Sequence, residues 1–91
     1  NLSNPDGALA TYDVVGNICE TDTFASDRQI ATISEGDLLV FENAGAYGFE
    51  MASNFNSRYK PAEVMIINNE AKLIRQRDTF EDLTRNQVEV L

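Results

Sequence analysis

Histidine and tryptophan are absent from this chain, and cysteine occurs once. Without histidine, the side chain that most often serves as general base or metal ligand near neutral pH is missing. Histidine-dependent catalytic triads and zinc sites are therefore excluded within these residues, and no metal set is expected. A single cysteine can form no internal disulfide, which makes a reducing, cytoplasmic setting the expectation. Basic residues are scarce, 7 against 15 acidic, for a net charge of −8. Such a surface repels a phosphate backbone, so no nucleic-acid partner is expected, and the excess acid reads as a solubility device. No apolar run approaches the roughly 20 residues that a membrane span needs. The longest is Val64-Met65-Ile66-Ile67, so no membrane partner is expected either. The opening residues Asn1-Leu2-Ser3-Asn4-Pro5 have neither a basic region nor an apolar stretch, so no signal peptide is read there. The missing initiator Met fits a processed product or an excised piece.

What is present is enough for one small globular domain: 91 residues, 43% hydrophobic, with no repeat or linker to divide them. Asn4-Pro5-Asp6-Gly7 is turn chemistry in a loose lead-in. Residues 10–15 read as a strand with Tyr12 and Val14 on one face, ended by Gly16. Residues 30–33 form a second apolar, β-branched stretch, and Ser34-Glu35-Gly36-Asp37 is a turn into a third strand over 38–42. Residues 44–53 switch to helical spacing, with Tyr47 and Met51 four apart, weakened by Gly45 and Gly48. Residues 64–67 and 71–75 around Asn68-Asn69 read as a hairpin. Asp78 with Glu81 three residues on reads as the cap of a terminal helix carrying a stripe through Phe80, Leu83, Val88 and Leu91. Five short strands without a βαβ rhythm predict a mainly β fold: an antiparallel Greek-key barrel or sandwich, with one short helix after the central strand and one at the C-terminus.

Two segments make poor core. Gly16-Asn17-Ile18-Cys19-Glu20-Thr21-Asp22 sets the lone thiol beside a carboxylate, and Ala44-Gly45-Ala46-Tyr47-Gly48-Phe49 brackets a tyrosine with glycines. On residue type alone Cys19 is a small buried hydrophobe, Glu20 a solvated acid and Tyr47 a core or interface aromatic. The polar neighbours of Cys19 instead describe an exposed loop. Glycines around Tyr47 let the backbone come close to a ligand while the phenol points at it.

These segments, followed by Met51-Ala52-Ser53-Asn54-Phe55-Asn56-Ser57-Arg58, Pro61-Ala62-Glu63-Val64, Leu73-Ile74-Arg75-Gln76-Arg77 and Asp78-Thr79-Phe80-Glu81-Asp82-Leu83, resemble the C-terminal β-domain of the diaminopimelate decarboxylases. These are pyridoxal-phosphate enzymes whose β-domain is similar to that of alanine racemase. The resemblance runs in the family's order over nearly the whole chain, about residues 12–83. It implies conversion of meso-diaminopimelate to L-lysine and carbon dioxide by a homodimer. It further implies that Cys19 crosses the dimer interface into the partner's site, where it is the general acid that protonates the substrate's α-carbon. A thiol suits that task because its ordinary pKa of about 8.5 leaves it protonated yet transferable at neutral pH. Glu20 is implied to read the distal ammonium of the substrate, and Tyr47 to touch substrate and cofactor, with its hydroxyl near the phosphate. Asp22 reads as a structural turn acceptor. Asn54, Asn56 and Arg58 read as fixing a loop or an interface, and Phe49, Met51 and Phe55 as packing.

The family's imine lysine and its Gly-rich phosphate loop belong to an N-terminal (β/α) barrel, and neither Lys60 nor Lys72 sits where that lysine belongs. The resemblance therefore implies that residues 1–91 are one C-terminal fragment, inactive alone. Two alternatives stay open: a sister decarboxylase of the same fold acting on ornithine, arginine or carboxynorspermidine, and a non-catalytic dimerisation module. The sister ornithine and arginine enzymes typically place Asp after the cysteine, so Glu20 leans toward the diaminopimelate branch.

Overall fold

Alternation along Leu-Ala-Thr-Tyr-Asp-Val-Val builds the first strand, β1 (Leu9–Val15), in the computed structural model, which describes all of residues 1–91. Ala10, Tyr12 and Val14 are half-buried and the residues between them exposed, as the period of two requires. β1 pairs antiparallel with β2 (Thr23–Ala31), with Leu9 opposite Ala31 and Val15 opposite Thr23. The ladder is irregular near Asp13, where the Asp13 carboxylate accepts the N–H of Asp27 (2.9 Å), a residue at φ +54°. Ala31 is the one buried residue.

The backbone divides into two compact units, Asn1–Asn43 and Ala44–Leu91. In the first, the lead-in is pinned rather than loose. Asn1 Nδ2 donates to the Thr32 carbonyl (3.1 Å) and to Asp37 Oδ2 (2.9 Å), while its Oδ1 accepts the N–H groups of Ser3 and Asn4. The turn at Ser34 forms as expected: Asp37 N–H donates to Ser34 O (3.1 Å), and Gly36 takes φ +90° at the third position. The strand expected over 38–42 does not form. A strand exists only as part of a ladder, and here the Leu38 backbone bonds once to Leu2 N–H and once to the Ser3 hydroxyl. Phe41 instead leans on Phe24, ring centroids 5.2 Å apart.

In the second unit, the helix expected over 44–53 is replaced by two single 3₁₀ turns, Gly45–Tyr47 and Phe49–Met51, with a third at Phe55–Ser57. Gly48, at φ −83° and ψ −99°, lies outside the helical region and separates the first two. The expected hairpin is present: β3 (Glu63–Ile67) pairs with β4 (Glu70–Arg75), with Ile67 opposite Glu70. Asn68 and Asn69 take φ +51° and +63°, the two positive values of a type I′ turn. The Arg75 side chain forms an ion pair with Glu63 across the strands and lies 4.1 Å over the Phe49 ring.

The terminal helix α1 (Phe80–Thr84) is shorter than the stripe suggests and is capped one residue later than expected, by Thr79 in a capping box with Asp82. It ends at Thr84, before the Val88 and Leu91 of that stripe, which are both exposed. The result is a mainly β chain of two separate two-stranded antiparallel sheets. The closed barrel or sandwich expected from the strand count is not formed by these residues, since each sheet stops at its hairpin. No helix is long and apolar enough to cross a membrane.

Candidate functional site

The Cys19 segment is the connection between β1 and β2, and its ends are joined: Gly16 N–H donates to the Asp22 carbonyl (3.0 Å). This closes residues 16–22 into a projecting loop, and Cys19 is exposed on it. Asp22, read as a turn acceptor, accepts here through its backbone oxygen, a bond that does not depend on its carboxylate. Glu20 folds back over the loop and is half-buried. Its Oε1 accepts a long bond from Ile18 N–H (3.5 Å), and its Oε2 is buried without a hydrogen-bond partner. A thiol that can reach solvent thus stands beside a carboxylate with one oxygen still able to accept. The pair offers a proton donor at one residue and, if Oε2 is uncovered, a free acceptor at the next.

Tyr47 belongs to the second unit, at the end of the first 3₁₀ turn, which Tyr47 N–H closes on Ala44 O (2.9 Å). Its side chain is 71% exposed, so it is not core. A Cβ at Gly45 would meet nothing within 4 Å, so the backbone beside the phenol is open to a ligand. An uncharged O–H donor on such backbone fits a phosphate. Of the two lysines, Lys72 Nζ lies 3.9 Å from Glu70 Oε2, and Lys60 Nζ lies 5.7 Å from the Phe49 ring centroid.

Asn54 does fix a loop. Its amide donates to Arg58 O (2.9 Å) and to Asp78 Oδ2 (2.8 Å), which also accepts Lys60 N–H (2.9 Å). The Asn54 amide first, and the Lys60 N–H second, hold the Asp78 carboxyl below the usual carboxylate range. In the first unit, Ser34 N–H and then the Asn1 amide lower Asp37 in the same way. Met51 and Phe55, read as packing, are exposed, and Phe49 serves as the platform for Arg75. Sequence reading missed the contact between Glu20 and Gly16; the only signal for it is a glycine four positions before the acid.

Residues 1–45 match the family described as "Pyridoxal-dependent decarboxylase, C-terminal sheet domain". The chain belongs to that family of decarboxylase C-terminal domains. Within it, the relatives are consistently diaminopimelate decarboxylases. That of Methanothermobacter thermautotrophicus is 53% identical over 76 residues, covering 82% of this chain and 18% of that protein. That of Neisseria meningitidis serogroup B is 45% identical over 90 residues, covering 99% of this chain and 22% of that protein. The crystal structure of diaminopimelate decarboxylase from M. jannaschi superposes with a TM-score of 0.83 at 33% identity, over 91% of this chain and 19% of that one. The chain thus spans about a fifth of the length of the curated relatives it matches.

Proposed function

We propose that this chain is the C-terminal domain of a cytoplasmic, homodimeric, pyridoxal-phosphate-dependent decarboxylase that converts meso-diaminopimelate to L-lysine and carbon dioxide. The observation that carries the reading is the closed 16–22 loop, which holds an exposed thiol next to a carboxylate with an unbonded oxygen. Pyridoxal phosphate, when bound, supplies the electron sink that makes loss of carbon dioxide feasible. Its imine lysine comes from the (β/α) barrel domain outside these residues, and Tyr47 would hold its phosphate from this side. Cys19 delivers a proton from Sγ to the substrate's α-carbon once carbon dioxide has left. Glu20 accepts the distal ammonium through its carboxylate, and this selects a substrate with a charged group at both ends. In the dimer the 16–22 loop enters the neighbouring subunit's site. The same reading makes each hairpin part of an antiparallel Greek-key barrel or sandwich completed by residues outside this chain.

Replacing Cys19 in the full-length enzyme tests the reading. Cys19→Ala should lower kcat by about 10²- to 10⁴-fold, the contribution of a general acid, while the cofactor's absorbance stays at full occupancy. Near-normal turnover would show that Cys19 is not the acid.

A further inference from the structure

Gly16 does not owe its identity to its backbone. Gly36 is the one glycine at positive φ, so an L side chain at position 16 meets no penalty of that kind. Space is what excludes one. A Cβ at Gly16 would overlap Glu20 Oε1 and lie 2.5 Å from Glu20 Cδ and 2.8 Å from Cγ. All three atoms belong to one flexible side chain, so a larger residue here displaces the carboxylate and leaves the backbone in place. The Gly16 N–H bond to Asp22 O is available to any residue but proline.

The seat is half furnished. Ile18 N–H supplies Oε1, while Oε2 is buried and receives nothing. A carboxylate oxygen withdrawn from water without a donor is costly unless a ligand brings one. From this geometry we infer that Gly16 is a positioning residue for substrate selection: its missing side chain seats the Glu20 carboxylate with Oε2 sheltered and without a donor, the atom that a substrate ammonium group would bond once the loop meets it. The inference rests on the reading of Glu20 given above. It adds a residue that never touches substrate but sets where the charge stands.

Steady-state kinetics of the full-length decarboxylase on diaminopimelate separate the two. Gly16→Ala should raise KM about ten- to a hundredfold, the span of one charge-assisted hydrogen bond. Its kcat should change less than about threefold, because the lost contact is equal in ground and transition states. Combined with Glu20→Gln, Gly16→Ala should add nothing further, because it acts only through that carboxylate. Wild-type KM in Gly16→Ala, beside a raised KM in Glu20→Gln, overturns the inference and leaves the role of Glu20 standing. Wild-type KM in both variants overturns the role of Glu20 and the inference with it. A Gly16→Ala loss that falls on kcat, or adds to that of Glu20→Gln, makes the glycine a matter of loop geometry and also overturns it. If Gly16→Ala fails to fold, rescue by Glu20→Ala supports the shared seat, and failure in both variants refutes it.

Discussion

Asp78 shows how one carboxylate can decide local structure. Its Oδ2 gathers the Asn54 amide and the Lys60 N–H, and its own N–H returns a bond to Lys60 O (3.2 Å), so three stretches of chain meet at one side chain. This occupation explains the cap. The run Asp78-Thr79-Phe80-Glu81-Asp82 holds two overlapping cap frames, Asp78 with Glu81 and Thr79 with Asp82. The first is unusable because the Asp78 carboxylate is already bonded elsewhere. No local pattern reports that, since Asn54 lies 24 residues away. The pH consequence follows from the lowered pKa. A carboxyl held below its unfolded value of 3.8 contributes stability that is fully present above that value and is lost as pH falls through the folded pKa. Asp78→Asn keeps an acceptor oxygen but removes the charge. The difference in denaturation midpoint between wild type and variant should therefore be constant at pH values well above 3.8 and shrink as pH falls through the lowered folded pKa. A difference that persists unchanged at the acid end would mean the charge contributes nothing.

The element that sequence describes best is the β3–β4 hairpin, because everything that specifies it is local. β-branched residues on either side supply strand preference, and Asn68-Asn69 supplies the left-handed turn. Replacing Asn69, at φ +63°, with Val should cost about 1–2 kcal/mol, the penalty of a side chain without local hydrogen bonding in that conformation. Asn69→Gly should be close to neutral. Urea unfolding of the domain distinguishes the two, and equal costs would mean the turn does not hold its φ. By contrast, the segment 38–42 has a strand's composition but lacks a strand, because composition cannot provide a ladder partner. The 16–22 segment was legible as a loop with Cys19 exposed because polar residues follow a strand there. The fold of Glu20 over Gly16 was not, since it depends on the direction of a side chain.

At the scale of the molecule, apolar side chains outnumber the places to put them. Leu38, Val40 and Phe41 in one unit, and Val64, Ile66, Leu73 and Ile74 in the other, are all exposed. On the function proposed above, their cover would come from the rest of the decarboxylase, and the proposed division of each active site between two subunits makes a direct test. Two inactive full-length variants are mixed, one lacking the barrel's imine lysine and the other carrying Cys19→Ala. Random exchange puts about half the dimers in mixed form, each with one intact site, so roughly a quarter of wild-type activity should return. No recovery after demonstrated subunit exchange would mean that each chain completes its own site.

Each sheet has only two strands, so both strands of each are edges, with a row of backbone groups open to any extended segment that arrives. During synthesis such open edges make a domain sticky until something covers them. A run such as Val64-Met65-Ile66-Ile67 in β3 is the kind of sequence that chaperones hold and proteases enter. On the proposed dimeric reading, the lifetime of the domain in a cell would thereby be tied to assembly. Copies that find a partner would be shielded, and orphans would be cleared before their open ladders recruit one another.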